Sequence, residues 1–126
     1  MTLAVSTAHN NARLAATVAF ADTGTANSRI HLYDATDTLL VTMTLAKPCG
    51  AIVADKLVLD QLDPVGDLIA TTGTAVSGVW VNGDDAVVAE GTVSDDAGSG
   101  DFKVGGTSGT TLYAGGRAIL GTTELT

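Results

Sequence analysis

After Gly24 the chain reads as strand and turn, and its clearest stretches alternate apolar and polar residues one by one, the period of a half-buried β-strand. Residues 28–34 place Ile30 and Leu32 on one face and Arg29, His31 and Tyr33 on the other. After a turn at 35–37, residues 38–45 send Leu39, Val41, Met43 and Leu45 one way and Leu40, Thr42 and Thr44 the other. The two segments predict a hairpin, broken afterwards by Pro48 and Gly50. Further strands are predicted at 51–54, 57–59, 67–72, 75–82, 86–89, 102–104, 111–114 and 117–123. Asn82-Gly83 is the strongest hairpin signal, because both residues tolerate positive φ in a two-residue turn. Short strands with turns at such spacing predict an antiparallel β-sandwich or barrel, and no βαβ rhythm points to a parallel sheet.

One segment departs from this period. Over 11–22, Leu14, Val18 and Ala21 fall at helical spacing and alanines fill the intervening positions. This predicts one short N-terminal helix, capped by Thr7 or Asn10 and stopped by Gly24. Residues 1–10 then read as an N-terminal arm, and 11–126 as a single mainly β domain.

Composition strengthens the strand reading. Of 126 residues, 15 are Gly and 19 are Thr, whereas aromatics make up only 4%. β-Branched Thr favours strands and Gly supplies turns, while the core must come from Val, Leu, Ile and Ala. The net charge is −8, and the six basic residues (Arg13, Arg29, Lys47, Lys56, Lys103, Arg117) are scattered. Nucleic acid and anionic membranes require clustered cations, so neither is expected as a partner. No apolar run is long enough to span a bilayer, and residues 1–8 lack the basic and apolar regions of a secretory signal. The expectation is a soluble chain made in the cytoplasm.

Candidate chemistry is sparse. Asp84 and Asp85 adjoin the Asn82-Gly83 turn, where such residues satisfy turn amides. Asp95, Asp96 and Asp101 flank the glycine-rich stretch 98–100, the most flexible-looking part of the chain with 105–109. They offer oxygen ligands to a cation, but without the alternating spacing of a calcium loop. His9 and His31 have no ligand-spaced companions for zinc, and Cys49 has no neighbouring His to activate it. No serine sits in a nucleophile elbow, and no glycine pair leads into a helix as a phosphate cradle. We therefore expect no catalytic residues, no cofactor and no metal. Trp80 either faces inward as a core anchor or outward as an interface anchor. The candidate partner contacts are Leu3, Val5, His9 and Trp80.

A resemblance extends from about residue 8 to residue 125. It rests on Ala12-Arg13-Leu14 in the early helix, Ser28-Arg29-Ile30-His31-Leu32-Tyr33-Asp34, and Thr72-Gly73-Thr74-Ala75 before Val79-Trp80-Val81. Leu112-Tyr113-Ala114-Gly115-Gly116 near the end completes it. This order resembles small virion proteins of tailed bacteriophages, the capsid cement (decoration) proteins among them. The resemblance implies a jelly-roll-like β-sandwich without catalytic residues. It further implies a homodimer on the exterior of the virion, bound to the major capsid protein and stabilising the shell. The early helix departs from a pure jelly roll and keeps open a tail or head–tail connector component. A carbohydrate-binding sandwich is the alternative from another class. It would need exposed aromatics, for which Trp80, Tyr33 and Tyr113 are the candidates.

Overall fold

The computed structural model describes residues 3–106 and 109–125. Among the described residues, one helix, α1 (Thr7–Ala21), precedes eleven strands: β1 (Arg29–Tyr33), β2 (Leu39–Val53), β3 (Lys56–Gln61), β4 (Asp67–Leu68), β5 (Gly73–Thr74), β6 (Ser77–Val81), β7 (Val87–Asp95), β8 (Phe102–Gly105), β9 (Thr111–Leu112), β10 (Arg117–Leu120) and β11 (Glu124–Leu125). Nine of them form one sheet in the order β11-β3-β2-β1-β6-β7-β8-β10-β4, and β5 pairs with β9 separately. The protein is therefore mainly β with one helix, as the alternation and the alanine-rich segment foretold.

The helix starts four residues earlier than expected. Ser6 is its N-cap, its hydroxyl accepting the His9 N–H at 3.2 Å. The proposed arm is correspondingly shorter, because residues 7–10 form the first helical turn and only Leu3 to Ser6 precede it among the described residues. Leu14 and Ala21 are buried and Val18 packs against them, so the stripe read from the sequence is the one that meets the core. Asp22 is the C-cap, and Gly24 follows at φ +100°.

Across the middle of the sheet the register stacks Met43, Ile30, Trp80 and Ala89 in one row and Val41, Leu32, Gly78 and Gly91 in the next. These rows carry the core. A β-bulge corrects the expected facing of β2. Leu32 pairs with Val41 but Tyr33 pairs with Leu39, leaving Leu40 as an extra residue. The bulge turns Leu40 inward, fully buried, and leaves Leu39 41% exposed, the reverse of simple alternation. Pro48 and Gly50 do not end the strand either. β2 continues to Val53 through a wider irregularity between Leu45 and Gly50, beyond which the pairing with β3 resumes.

The expected all-antiparallel sheet fails at one pair, since β7 and β8 run parallel from Val93–Phe102 to Asp95–Val104. Parallel neighbours ordinarily need a long crossover. Here the overlap is so short that residues 96–101 suffice to run back. The return is tight: the Gly100 N–H donates to Ser94 Oγ at 2.9 Å, and a Cβ at Gly100 would stand 2.5 Å from the Ser94 nitrogen. The glycines of this segment, read from sequence as a loose loop, permit that close approach.

The sheet curls on itself. Gln61 of β3 donates to Asp67 Oδ2 at 2.8 Å and to the Ala118 carbonyl at 3.0 Å, while its Oε1 accepts the Leu120 N–H at 2.9 Å. It thereby joins β3 to β10, strands far apart in sheet order. Asp67 completes the seam by accepting the Thr44 N–H at 3.0 Å. The helix lies against β2, β3 and β7.

Candidate functional site

The side chains singled out from the sequence do not converge. Leu3 is 94% exposed and Val5 is exposed beside it, ahead of the helix. His9 is exposed in the first turn of α1, its N–H committed to the Ser6 cap. Asn10, one residue on, donates to the Asp55 carbonyl at 2.9 Å, which ties the helix start to the β2–β3 turn. Trp80 stands apart from all of them, 1% exposed in the core row of β6. Its inward orientation removes it as a direct partner contact. The physical reason is the strand register, which places it between Ile30 of β1 and Ala89 of β7 on the buried face.

The carboxylates stabilise backbone rather than forming a site. Asp101 Oδ2 accepts the Thr92 N–H at 3.0 Å and its hydroxyl at 3.1 Å. Asp96 Oδ1 accepts the Thr122 N–H at 3.2 Å. Asp34 Oδ1 accepts the Thr38 N–H at 2.9 Å, the Thr36 hydroxyl at 2.8 Å and the Thr36 N–H at 2.9 Å, and those bonds hold its carboxyl below the usual range. Asp85, at φ 66°, is paired with Arg29. Among the described residues, no group of three or more His, Cys, Asp or Glu is placed to hold a metal ion.

The Asn82-Gly83 hairpin exists, but its chemistry differs from the expectation. Asn82 has no positive φ; the left-handed residue is Asp85. Asn82 is buried and acts through its side chain. Oδ1 accepts the Asp84 N–H at 3.0 Å and the Ala86 N–H at 2.9 Å, and Nδ2 donates to the Phe20 carbonyl at 3.3 Å. Gly83 serves close approach instead of φ: its N–H donates to the Thr23 carbonyl, and a Cβ there would lie 2.2 Å from the Ala26 carbonyl oxygen. Together they dock the end of α1 onto the β6–β7 turn. An Asn-Gly pair in the sequence marks the turn but not this second role.

Cys49 is fully buried in the wide irregularity of β2, and burial first, with Asp22 and Asp60 adding, pushes its thiol up to about 12. It carries no nucleophilic chemistry at neutral pH. His31 is half-buried on the outer face of β1, its Nδ1 3.0 Å from Thr42 Oγ1. Burial and then Arg29 lower its pKa, while Asp85 raises it.

Sequence reasoning missed the exposed apolar residues around β4. Strand pairing puts Leu68 opposite Arg117, on the outward side with Ile119, while Asp67 and Ala118 turn inward. Val65 is 65% exposed in the turn just before, and Leu62 is also exposed. These residues lie in a loop and two short strands, where no periodicity announces a shared face. Among the aromatics, Tyr113 is exposed and Trp80 is buried, so no stacking pair forms between them for a sugar ring.

Among the described residues no helix is long and apolar enough to cross a membrane. Comparison with protein-family models, curated proteins and solved structures found no match.

Proposed function

We propose that this chain is a non-enzymatic structural protein of a tailed-bacteriophage virion, a cement protein bound as a homodimer to the outer surface of the major capsid protein shell. The observation that carries this reading is the exposed apolar edge at β4, where Val65, Leu68 and Ile119 are solvent-facing. Apolar side chains grouped at an exposed edge favour a protein partner, because burying them removes that surface from water. Most of the structured polar chemistry supports the same role, since Gln61, Asp67, Asn82 and Asp101 fix backbone within the fold. The sequence resemblance supplies the identity of the partner, and the net charge of −8 suits a protein held soluble at high copy number.

The decisive experiment uses shells assembled with and without this protein. Shells lacking it should lose integrity on heating and package DNA less completely, and quantitative mass spectrometry should count hundreds of copies per complete particle. Leu68→Asp should abolish shell binding while leaving the circular dichroism spectrum unchanged. Equal heat resistance with and without the protein refutes the cementing role, and a few dozen copies or fewer would place it in a tail or connector.

A further inference from the structure

Strand β7 is covered unequally along its two edges. One edge pairs with β6 from Val87 to Thr92. On the other, β8 begins only opposite Val93 and runs onward from there, because the two strands are parallel. Among the described residues, no strand pairs with that second edge between Val87 and Gly91.

The hydrogen bonds fix which backbone groups face the gap. The Val93 N–H donates to the Val76 carbonyl, so Val93 bonds toward β6, whereas the Thr92 N–H turns the other way, to Asp101 Oδ2. Alternation along an antiparallel ladder then aims the N–H and C=O of Glu90 at the open edge. A second edge, that of β11, is also unpaired among the described residues. The Leu59 N–H donates to the Thr123 carbonyl, so by the same alternation the backbone of Glu124 points away from β3. Glu90 and Glu124 line one slot of about 130 Å³, whose floor is closed by the buried side chains of Leu59, Trp80 and Phe102.

We propose that this slot binds an extended segment of a partner chain bearing lysine or arginine, which adds as a strand along the open edges of β7 and β11. The backbone groups of Glu90 and Glu124 provide the ladder, so the segment is held mainly through its main chain. The rim selects the charge. Glu90, Asp101 and Glu124 surround the slot, against Lys56 paired to Glu124 at 3.2 Å and Lys103 nearby. The acidic excess on this rim attracts a basic segment. This site is independent of the virion reading, since any protein carrying such a segment would fit it.

Trp80 is the only tryptophan, so its emission reports on the slot. The full chain is titrated with a capped eight-residue peptide of alternating lysine and valine. A saturable emission change is expected, with amide NMR shifts concentrated on residues 88–91 and 123–125. Methylating alternate peptide nitrogens should weaken binding by roughly tenfold or more, because it removes the ladder donors. Glu90→Lys should weaken it by roughly tenfold, and Glu90→Gln by less, both on an exposed position and with folding checked by circular dichroism. The proposal is overturned by an unchanged emission, by equal affinity for the methylated peptide, or by equal affinity for a glutamate–valine peptide. It is equally overturned if sedimentation shows a dimer of the free chain that Glu90→Lys dissociates, since the occupant would then be a second copy.

Discussion

Replacing Asn82 by alanine tests whether one buried amide holds the helix to the sheet. The substitution removes three side-chain hydrogen bonds, to the Phe20 carbonyl and from the Asp84 and Ala86 N–H groups. Asp84 and Ala86 are exposed, so water can re-solvate their amides, and each of those bonds is worth about 0.5–1 kcal/mol. The bond to Phe20 and the small void left by truncation add about 1 kcal/mol. The expected loss is about 2 kcal/mol. With a urea m-value of ~1.5 kcal/mol/M, the midpoint should fall by about 1.3 M, followed by Trp80 emission and far-ultraviolet circular dichroism together. Asn82→Asp separates the components. It retains the acceptor for both turn amides but sets a carboxylate against the Phe20 carbonyl, so it should specifically raise hydrogen exchange at the end of α1. A loss below about 0.5 kcal/mol for Asn82→Ala, the level of an ordinary surface substitution, would refute the docking role.

Further outcomes follow from the same structure. Gly83→Ala forces a methyl into the 2.2 Å gap to the Ala26 carbonyl and should cost about 1–3 kcal/mol in the same urea assay. The Cys49 thiol should stay unlabelled by a disulfide-exchange reagent at pH 8 until the protein unfolds. Because its folded pKa of about 12 lies above the ordinary 9.0, stability should also fall as pH rises beyond 9, an effect that Cys49→Ala removes. His31 has a lowered folded pKa, so the unfolded chain takes up its proton first, and stability should decline as pH falls below 6.5. Asp34 is also lowered, and its contribution, present above 3.8, should be lost as pH falls through its folded pKa; chemical denaturation of wild type, His31→Gln and Asp34→Asn across pH separates the two windows.

Much of the architecture was legible as local pattern. The alternation around Ile30 and Leu32 located β1 and its buried face, and the spacing of Leu14, Val18 and Ala21 identified the helical face that packs. These signals survive because side-chain direction follows directly from backbone period. The reversal of Leu39 and Leu40 was not legible, because a bulge depends on the partner strand and leaves no mark in its own composition. The candidate surfaces were hidden for the same kind of reason. Leu68 and Ile119 lie some fifty residues apart in sequence and share a face only through the pairing of β4 with β10.

The sequence by itself determined the secondary structure class, the helix and most strand positions, all of which depend on residues near one another in the chain. The tertiary structure decided the rest. It made β7 and β8 parallel, curled the sheet through Gln61, buried Trp80 and left one edge of β7 without a paired strand from Val87 to Gly91 among the described residues. Each of those outcomes depends on which distant segments meet, and that is settled by the summed burial and hydrogen bonding of the whole fold rather than by any local preference.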